Sequence, residues 1–325
     1  MRAVVLRRFG PPESLNVENL PDPQAGVNQV VVEVEMAGVT FVETQTRAGR
    51  PPNPAMTPAL PVVLGNGVGG VIASIGPEVD PALIGRRVVT STGGSGGYAE
   101  RAVVEAAWII EVPDGLDLAD AVALLADGRT AIGLVDLASI RAGEVVLIEA
   151  AAGGVGTLLV QLVASAGATV IAAVGGSRKT ALVARLGAHV IADYSEPGWA
   201  ERLRDQAGAV DVVFDGVGGE IGLACLGMLG EGGRFIPYGM ASGSFTPIPE
   251  AATAARHVQV LRSALRSPEE LRVLTRRALD EARSGRLRPV IGQTFPLERA
   301  ADAHAAIGAR ATVGKTLLVT SPTSQ

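Results

Sequence analysis

Residues 149–180 read EAAAGGVGTLLVQLVASAGATVIAAVGGSRKT. Ala151, Gly153 and Gly156 fill the three positions of a G-x-G-x-x-G turn, with alanine in the first. Glycine at the second position lets a pyrophosphate approach the backbone, and at the third it lets a helix pack close to a strand. The apolar run 145–149 predicts a strand before the turn, the stretch to residue 166 a helix after it, and residues 169–174 a second strand. Amides at the start of such a helix face an anion, and the helix dipole favours negative charge there. A tight strand–helix turn without a ligand is the plainer alternative, but the surrounding strand, helix and strand argue for a nucleotide site.

The end of the second strand selects the nucleotide. Sites for NAD commonly place Asp or Glu there to bond the ribose hydroxyls. Here the strand runs out as AAVGGSRKT, with no acid and with Arg178 and Lys179 following. A 2′-phosphate would be repelled by a carboxylate and held by these bases. The expected cofactor is therefore NADP, as NADPH.

Outward from this unit the periodicity changes in both directions. The first hundred or so residues read as strands: 30–39 (VVVEVEMAGV) alternates as a half-buried strand does, and 67–76 and 85–104 hold short β-branched runs separated by glycine turns. The proline-rich RPPNPAMTPALP between them is expected to be loop. From about Leu118 helical spacing sets in, followed by strand–helix alternation: helix 179–186 and strands 189–192 and 210–214, then GRFIPYG. Ser267, Pro268 and early acids start a further helix, with Gly285 just past its end. A final strand, helix and strand are expected to return to the first domain. The reading is α/β, with a β-rich domain of residues 1–118 and 262–325 and a doubly wound parallel-sheet domain of residues 119–261.

Composition narrows the function classes. A length of 325 residues suits two domains, and 47% hydrophobic with 19% charged residues suits a buried α/β enzyme. A net charge of -5 gives no reason to expect nucleic acid. The single cysteine, Cys225, cannot form an internal disulfide and fits a reducing, cytoplasmic setting. Arg7 and Arg8 interrupt the apolar start, so no signal peptide is expected. Polar Glu149, Gln161 and Ser165 divide the longest apolar region, so no membrane span is expected.

Several segments in order carry a family resemblance: MAGVTFVETQTRAG, LPVVLGNGVGGVIASIG, GGYAERAVV, DGRTAIG, AAAGGVG, LGAHVIADY, FDGVGG, GRFIPYGMASG and FPLERAADAH…VGKTLLV. Over nearly its whole length the chain resembles the zinc-independent, quinone oxidoreductase-like branch of the medium-chain dehydrogenase/reductases. The resemblance implies a GroES-like catalytic domain, discontinuous in sequence, and a Rossmann domain. It places Ala151, Gly153, Gly154, Val155 and Gly156 at the pyrophosphate. Gly175, Ser177, Arg178, Lys179, Tyr194 and Arg310 fall around the adenosine 2′-phosphate. Thr130, Gly216, Tyr238, Gly239 and Met240 complete the cofactor set. Homodimers of relatives often pair Rossmann edge strands, a role the segment GRFIPYGMASGSFTPIP could fill.

The resemblance also defines what is missing. Zinc-dependent relatives carry Cys where this chain has Thr40 and His-Glu where it has Asn66-Gly67, and catalytic zinc needs three such ligands. The three histidines, His189, His257 and His304, show no ligand spacing and are expected in helix or strand contexts. No metal site is expected. Without a metal, NADPH can still pass hydride to a quinone or an α,β-unsaturated carbonyl compound. Many quinone oxidoreductases carry Asn, Tyr and Glu where this chain has Thr40, Gln45 and Gly67. Thr40 and Gln45 remain hydrogen-bond donors, but neither is an acid. Asp127, three residues before Thr130, is the other polar candidate, with a helix cap or turn as its plainer role. Water is an adequate proton source.

Three functions fit these residues. The leading one is an NADPH-dependent quinone or enone reductase. The altered cleft positions motivate a pathway-specific enoyl or cyclising reductase, and an NADPH-binding protein without turnover is the third. Few histidines are available to serve as a base, which disfavours a hydrolase.

Overall fold

The structure, a computed structural model, describes residues 1–264 and 266–320. The chain divides into two compact units, Met1–Arg129 with Pro268–Gln325, and Thr130–Ser267. The divisions lie at 129/130 and 267/268 rather than at 118/119 and 261/262. The reason for the first shift is that Leu118–Ala138 is one continuous helix, so a change of periodicity at its start does not coincide with a break in packing. The helix Pro268–Arg283 begins the returning segment.

In the discontinuous unit a seven-stranded sheet runs Ile291–Pro296, Lys315–Val319, Gln29–Val39, Gly67–Ile75, Arg87–Ser91, Ile110–Glu111, and Arg101–Glu105 pairs separately with the Gln29–Val39 strand. The long Gln29–Val39 strand is central because its alternation buries Val30, Val32, Val34 and Val39 on one core. Each such side chain contributes about 1.5–3 kcal/mol by leaving water. Pairing shifts at Val31/Val32 and Val34/Met36 bend this strand, as bulges do. A smaller sheet orders Leu15–Asn19, Arg2–Leu6, Val62–Val63. The proline-rich stretch expected to be loop contains one short 3₁₀ turn, Pro54–Met56, started by the Asn53 side chain accepting from the Ala55 amide. This is the GroES-like β-rich domain.

The second unit is a six-stranded sheet in the order Val190–Asp193, Thr169–Val174, Val145–Ile148, Val210–Asp215, Leu229–Pro237, Gln259–Val260, with every pairing parallel. Three inner strands, Val145–Ile148, Thr169–Val174 and Val210–Asp215, are rich in Val, Ile and Ala and largely buried on both faces, as parallel strands between helices must be. The chain starts at the central Val145–Ile148 strand, goes outward through two strands, then returns to its other side. That reversal is the topological switch point of a Rossmann sheet. Expected strand 189–192 begins one residue later, at Val190. The segment expected to supply the sheet edge does not: Arg234 and Phe235 pair with Gln259 and Val260, so the short Gln259–Val260 strand covers it. Among the described residues, no helix is long and apolar enough to cross a membrane.

Candidate functional site

Apart from Thr130, the cofactor residues expected in the Rossmann unit follow the ends of five strands. After Ile148 the backbone turns at Ala150, which takes φ +46°, and the Gly153 amide donates to the Ala150 carbonyl at 2.8 Å. Left-handed backbone costs a non-glycine residue about 1–2 kcal/mol. Ala151 itself is fully buried and its amide donates to Ala173 at 3.1 Å, so the first motif position accommodates a methyl. Gly156 does not. A Cβ there would lie 2.3 Å from the Ala150 oxygen and 2.7 Å from the Ala151 Cα. Helix Gly154–Ser165 therefore starts pressed against the turn, and its first amides, from Gly154 onward, have no partner within the helix.

At the next strand end, Gly175 lies under the Tyr194 ring, where a Cβ would meet Cε2 at 2.8 Å. Gly176 takes φ +107° and leads into the 3₁₀ turn Ser177–Lys179, with Ser177 and Arg178 exposed. The expectation of no acid here misses Asp193, which stands at the end of the adjacent strand. Its Oδ1 accepts from the Gly176 amide at 2.9 Å, the Ser195 amide at 2.9 Å and the Ser195 hydroxyl at 2.6 Å. Burial raises the Asp193 pKa, but these donors and the Lys179 charge outweigh it and hold the carboxyl below its ordinary value. Asp193 thus shapes the Gly175–Lys179 turn. No sequence window around the second strand could reveal it, because the third strand supplies it.

On the other side of the switch point, the Tyr238 and Gly239 amides both donate to the Asp215 carbonyl, at 2.9 and 3.1 Å. A Cβ on Gly216 would lie 2.5 Å from the Tyr238 hydroxyl, and one on Gly239 would lie 2.5 Å from the Gly216 oxygen. Gly216, Tyr238, Gly239 and Met240 are thereby brought together, as are Gly175 and Tyr194. Thr130 opens this unit within the Leu118–Ala138 helix, and Arg310, at φ +55° after the helix Ala300–Gly308, belongs to the GroES-like unit.

In that unit, Thr40 is the N-cap of the helix Phe41–Arg47 and Gln45 lies within it. The buried Glu43 organises them. Its Oε2 accepts from the Thr40 amide at 2.6 Å and from the Tyr98 hydroxyl at 3.2 Å, while Oε1 accepts from the Asn66 amide at 2.8 Å. One carboxyl thus ties Thr40 to the Asn66-Gly67 turn, uniting positions 26 and 27 residues apart. Asn66 Oδ1 in turn accepts from the Ser91 hydroxyl at 2.8 Å and the Gly94 amide at 2.7 Å. Burial raises the Glu43 pKa, opposed by the Thr40 and Asn66 amides and by the Lys315 charge. The T-x-x-E spacing of Thr40 and Glu43 is a capping-box signal that the sequence carried.

Tyr98 continues the network to His304, whose Nε2 is 3.1 Å from its hydroxyl. Since the Tyr98 proton points at Glu43, His304 Nε2 carries the donor hydrogen, and its buried Nδ1 has no partner. Burial, with the nearby Arg47 charge, pushes the imidazole pKa down to about 3. Of the other two histidines expected in regular elements, His189 precedes a strand and His257 occupies a turn at φ +52°.

Asp127 is neither a cap nor a turn residue. It sits mid-helix, and its Oδ1 is 3.2 Å from the Lys315 ammonium, with the two side chains 13% and 4% exposed. The Lys315 stem crosses Gly38, whose Cβ would meet Cε at 3.1 Å. Sequence reasoning passed over Lys315 because its buried role depends on a strand beginning 188 residues later.

Comparison with known proteins agrees with this architecture. Residues 26–114 match the alcohol dehydrogenase GroES-like domain, and residues 186–318 match the family described as zinc-binding dehydrogenase. A 2-haloacrylate reductase from Burkholderia is 33% identical over 98% of both chains, and a quinone oxidoreductase from Pseudomonas aeruginosa is 31% identical over 96% of this chain and 97% of its own. The Escherichia coli quinone oxidoreductase complexed with NADPH superposes with a TM-score of 0.90 at 28% identity, covering 98% of this chain and all of that one. A mycobacterial protein complexed with NADPH gives 0.89 at 32% identity over the same shares. The chain belongs to the quinone oxidoreductase-like medium-chain dehydrogenase/reductases, a family of oxidoreductases. Among the described residues no three His, Cys, Asp or Glu side chains form a group that could hold a metal ion.

Proposed function

We propose that this protein is an NADPH-dependent reductase that delivers hydride to a quinone or an α,β-unsaturated carbonyl compound without a metal. The supporting observation is the set of turns at the carboxyl ends of the parallel strands, where Gly153–Gly156, Gly175–Lys179, Gly216 and Tyr238–Met240 flank the switch point. Open α/β sheets bind nucleotides there. NADPH supplies the hydride and its electron pair. The amides of Gly154, Val155 and Gly156 hold the pyrophosphate, and Ser177, Arg178, Lys179, Tyr194 and Arg310 hold the 2′-phosphate. Thr130, Gly239 and Met240 flank the nicotinamide. Thr40 and Gln45 donate hydrogen bonds to the acceptor's carbonyl oxygen as charge develops on it. The carbon β to that carbonyl takes the hydride, the alkene electron pair moves toward oxygen, and water returns a proton to the α carbon. A quinone accepts the same hydride at a ring carbon together with one proton from water on oxygen, and shift of that carbon's proton to the second oxygen gives the hydroquinone. Asp127 is held in place by Lys315.

The test is loss of reduced-nicotinamide absorbance with NADPH and NADH against a panel of quinones and enones. Faster oxidation of NADPH than NADH with these acceptors is expected. NADPH binding without oxidation by any of them would refute the substrate assignment and favour a protein without turnover. The similarity to a 2-haloacrylate reductase supports a second reading, in which the acceptor is a conjugated acid of more specialised origin; turnover of acrylates but not quinones would select it. We infer a cytoplasmic homodimer, and sedimentation equilibrium at twice the chain mass is the expected result.

A further inference from the structure

Two carboxyl groups are fully buried where the central strands of the Rossmann unit end. Glu149 follows Val145–Ile148 and Asp215 ends Val210–Asp215, and both are 0% exposed. Each anchors the same turn. Glu149 Oε2 accepts from the Val217 amide at 3.1 Å, and Asp215 Oδ1 accepts from the Gly218 amide at 2.7 Å. Asp215 Oδ2 accepts from the Thr246 hydroxyl at 2.6 Å. Gly222 leaves space for this arrangement, since a Cβ there would lie 1.9 Å from Thr246 Oγ1 and 3.0 Å from each Asp215 oxygen. Asp215 is thus supplied with donors on both oxygens, as a carboxylate requires.

Glu149 is not. Its Oε1 is buried with no hydrogen-bond partner. The groups facing Glu149 are the Asp215 carboxyl and the buried Cys225 thiol, and no cation is among them. Two adjacent buried carboxylates without a cation repel each other in a medium that screens poorly, and a single proton relieves this.

We propose that Glu149 is a positioning residue: it is protonated, and as a neutral acid beside the Asp215 carboxylate it holds the Asp215–Gly218 turn in the shape that receives NADPH. Consistent with this, burial first, and then the Asp215 charge, drive the Glu149 pKa well above the ordinary carboxylate range. The same turn carries Gly216 against Tyr238 and Gly239, so the proton acts on the cofactor through backbone, not through contact. The inference rests on the assignment of that turn to NADPH binding.

The test compares Glu149→Gln with Glu149→Met by NADPH fluorescence titration at neutral pH, with infrared spectroscopy of the wild-type protein. A glutamine oxygen can accept from Val217 while its NH₂ faces Asp215, so it reproduces the neutral acid; methionine fills the same space but does neither. Glu149→Gln is expected to bind NADPH within about threefold of wild type, and Glu149→Met about tenfold more weakly, the usual effect of stripping a buried hydrogen bond. The wild-type spectrum at neutral pH is expected to contain a protonated-carboxyl stretch that Glu149→Gln lacks. Equal NADPH affinities of the two variants would overturn the proposal, as would absence of that band, which decides the matter even if Glu149→Met does not fold. Failure of the wild-type protein to bind NADPH at all would instead refute the underlying cofactor assignment.

Discussion

Acidification should destabilise this protein through His304, and the size of the effect follows from its surroundings. The ring is 1% exposed, its Nε2 is engaged by Tyr98, and its Nδ1 faces no acceptor, so a second proton would place an unanswered charge near Arg47. The folded imidazole therefore stays neutral down to about pH 3, against an ordinary value of 6.5. Unfolding releases the ring into water, where it takes up a proton below pH 6.5. A lowered pKa of this kind contributes stability that is present above 6.5 and is lost as pH falls toward 3. At about 1.36 kcal/mol per pH unit the full loss is about 5 kcal/mol, of which about 2 kcal/mol falls between pH 7 and pH 5. Urea unfolding of the wild-type protein and of His304→Gln at several pH values in that range measures it. Glutamine can still donate to Tyr98 but does not titrate, so the stability difference between the two proteins should shrink by about 2 kcal/mol from pH 7 to pH 5. A difference that does not change with pH would refute the assignment of a buried neutral ring.

Other perturbations probe the two units separately. Gly156→Ala sets a methyl 2.3 Å from the Ala150 oxygen, a backbone contact that cannot yield, so NADPH affinity should fall more than about tenfold while a destabilisation of about 1–3 kcal/mol appears in unfolding curves. Replacing both Arg178 and Lys179 by Ala should weaken NADPH about 10–100-fold and leave NADH nearly unchanged, measured by fluorescence titration of both; parallel losses would exclude a 2′-phosphate role. Glu43→Ala leaves the Thr40 and Asn66 amides and the Tyr98 hydroxyl without their acceptor, so about 3–5 kcal/mol of stability should be lost in urea unfolding, and Glu43→Gln should lose less. Lys315→Met strands Asp127 in a half-buried site and should cost about 3–5 kcal/mol, recovered in part by adding Asp127→Asn.

How much of this was legible in the linear chain depended on the range of the interaction. The residues from Val145 to Thr180 determine a strand, a glycine turn, a helix and a second strand by local rules alone: periodicity, a glycine that must admit a helix, and amides left over at a helix start. The basic pair Arg178 and Lys179 lies within the same window, so the preference for a 2′-phosphate was readable there too. Thr40 and Glu43, three residues apart, announce their capping pair in the same way.

Tertiary structure decided whatever joins distant segments. The sequence allowed GRFIPYG to be an edge strand, and only the pairing of Arg234 with Gln259 covers it. Asp127 looked like a cap until Lys315 met it across the fold, and Asp193 entered the Gly175–Lys179 turn from a neighbouring strand. Glu149 and Asp215 are 66 residues apart, and neither carries any local sign that it faces the other. The physical reason is common to all four cases. Helix, strand and turn preferences act over a few residues, whereas the pairing of a strand and the energy of a buried charge depend on which groups the completed fold places within a few ångströms.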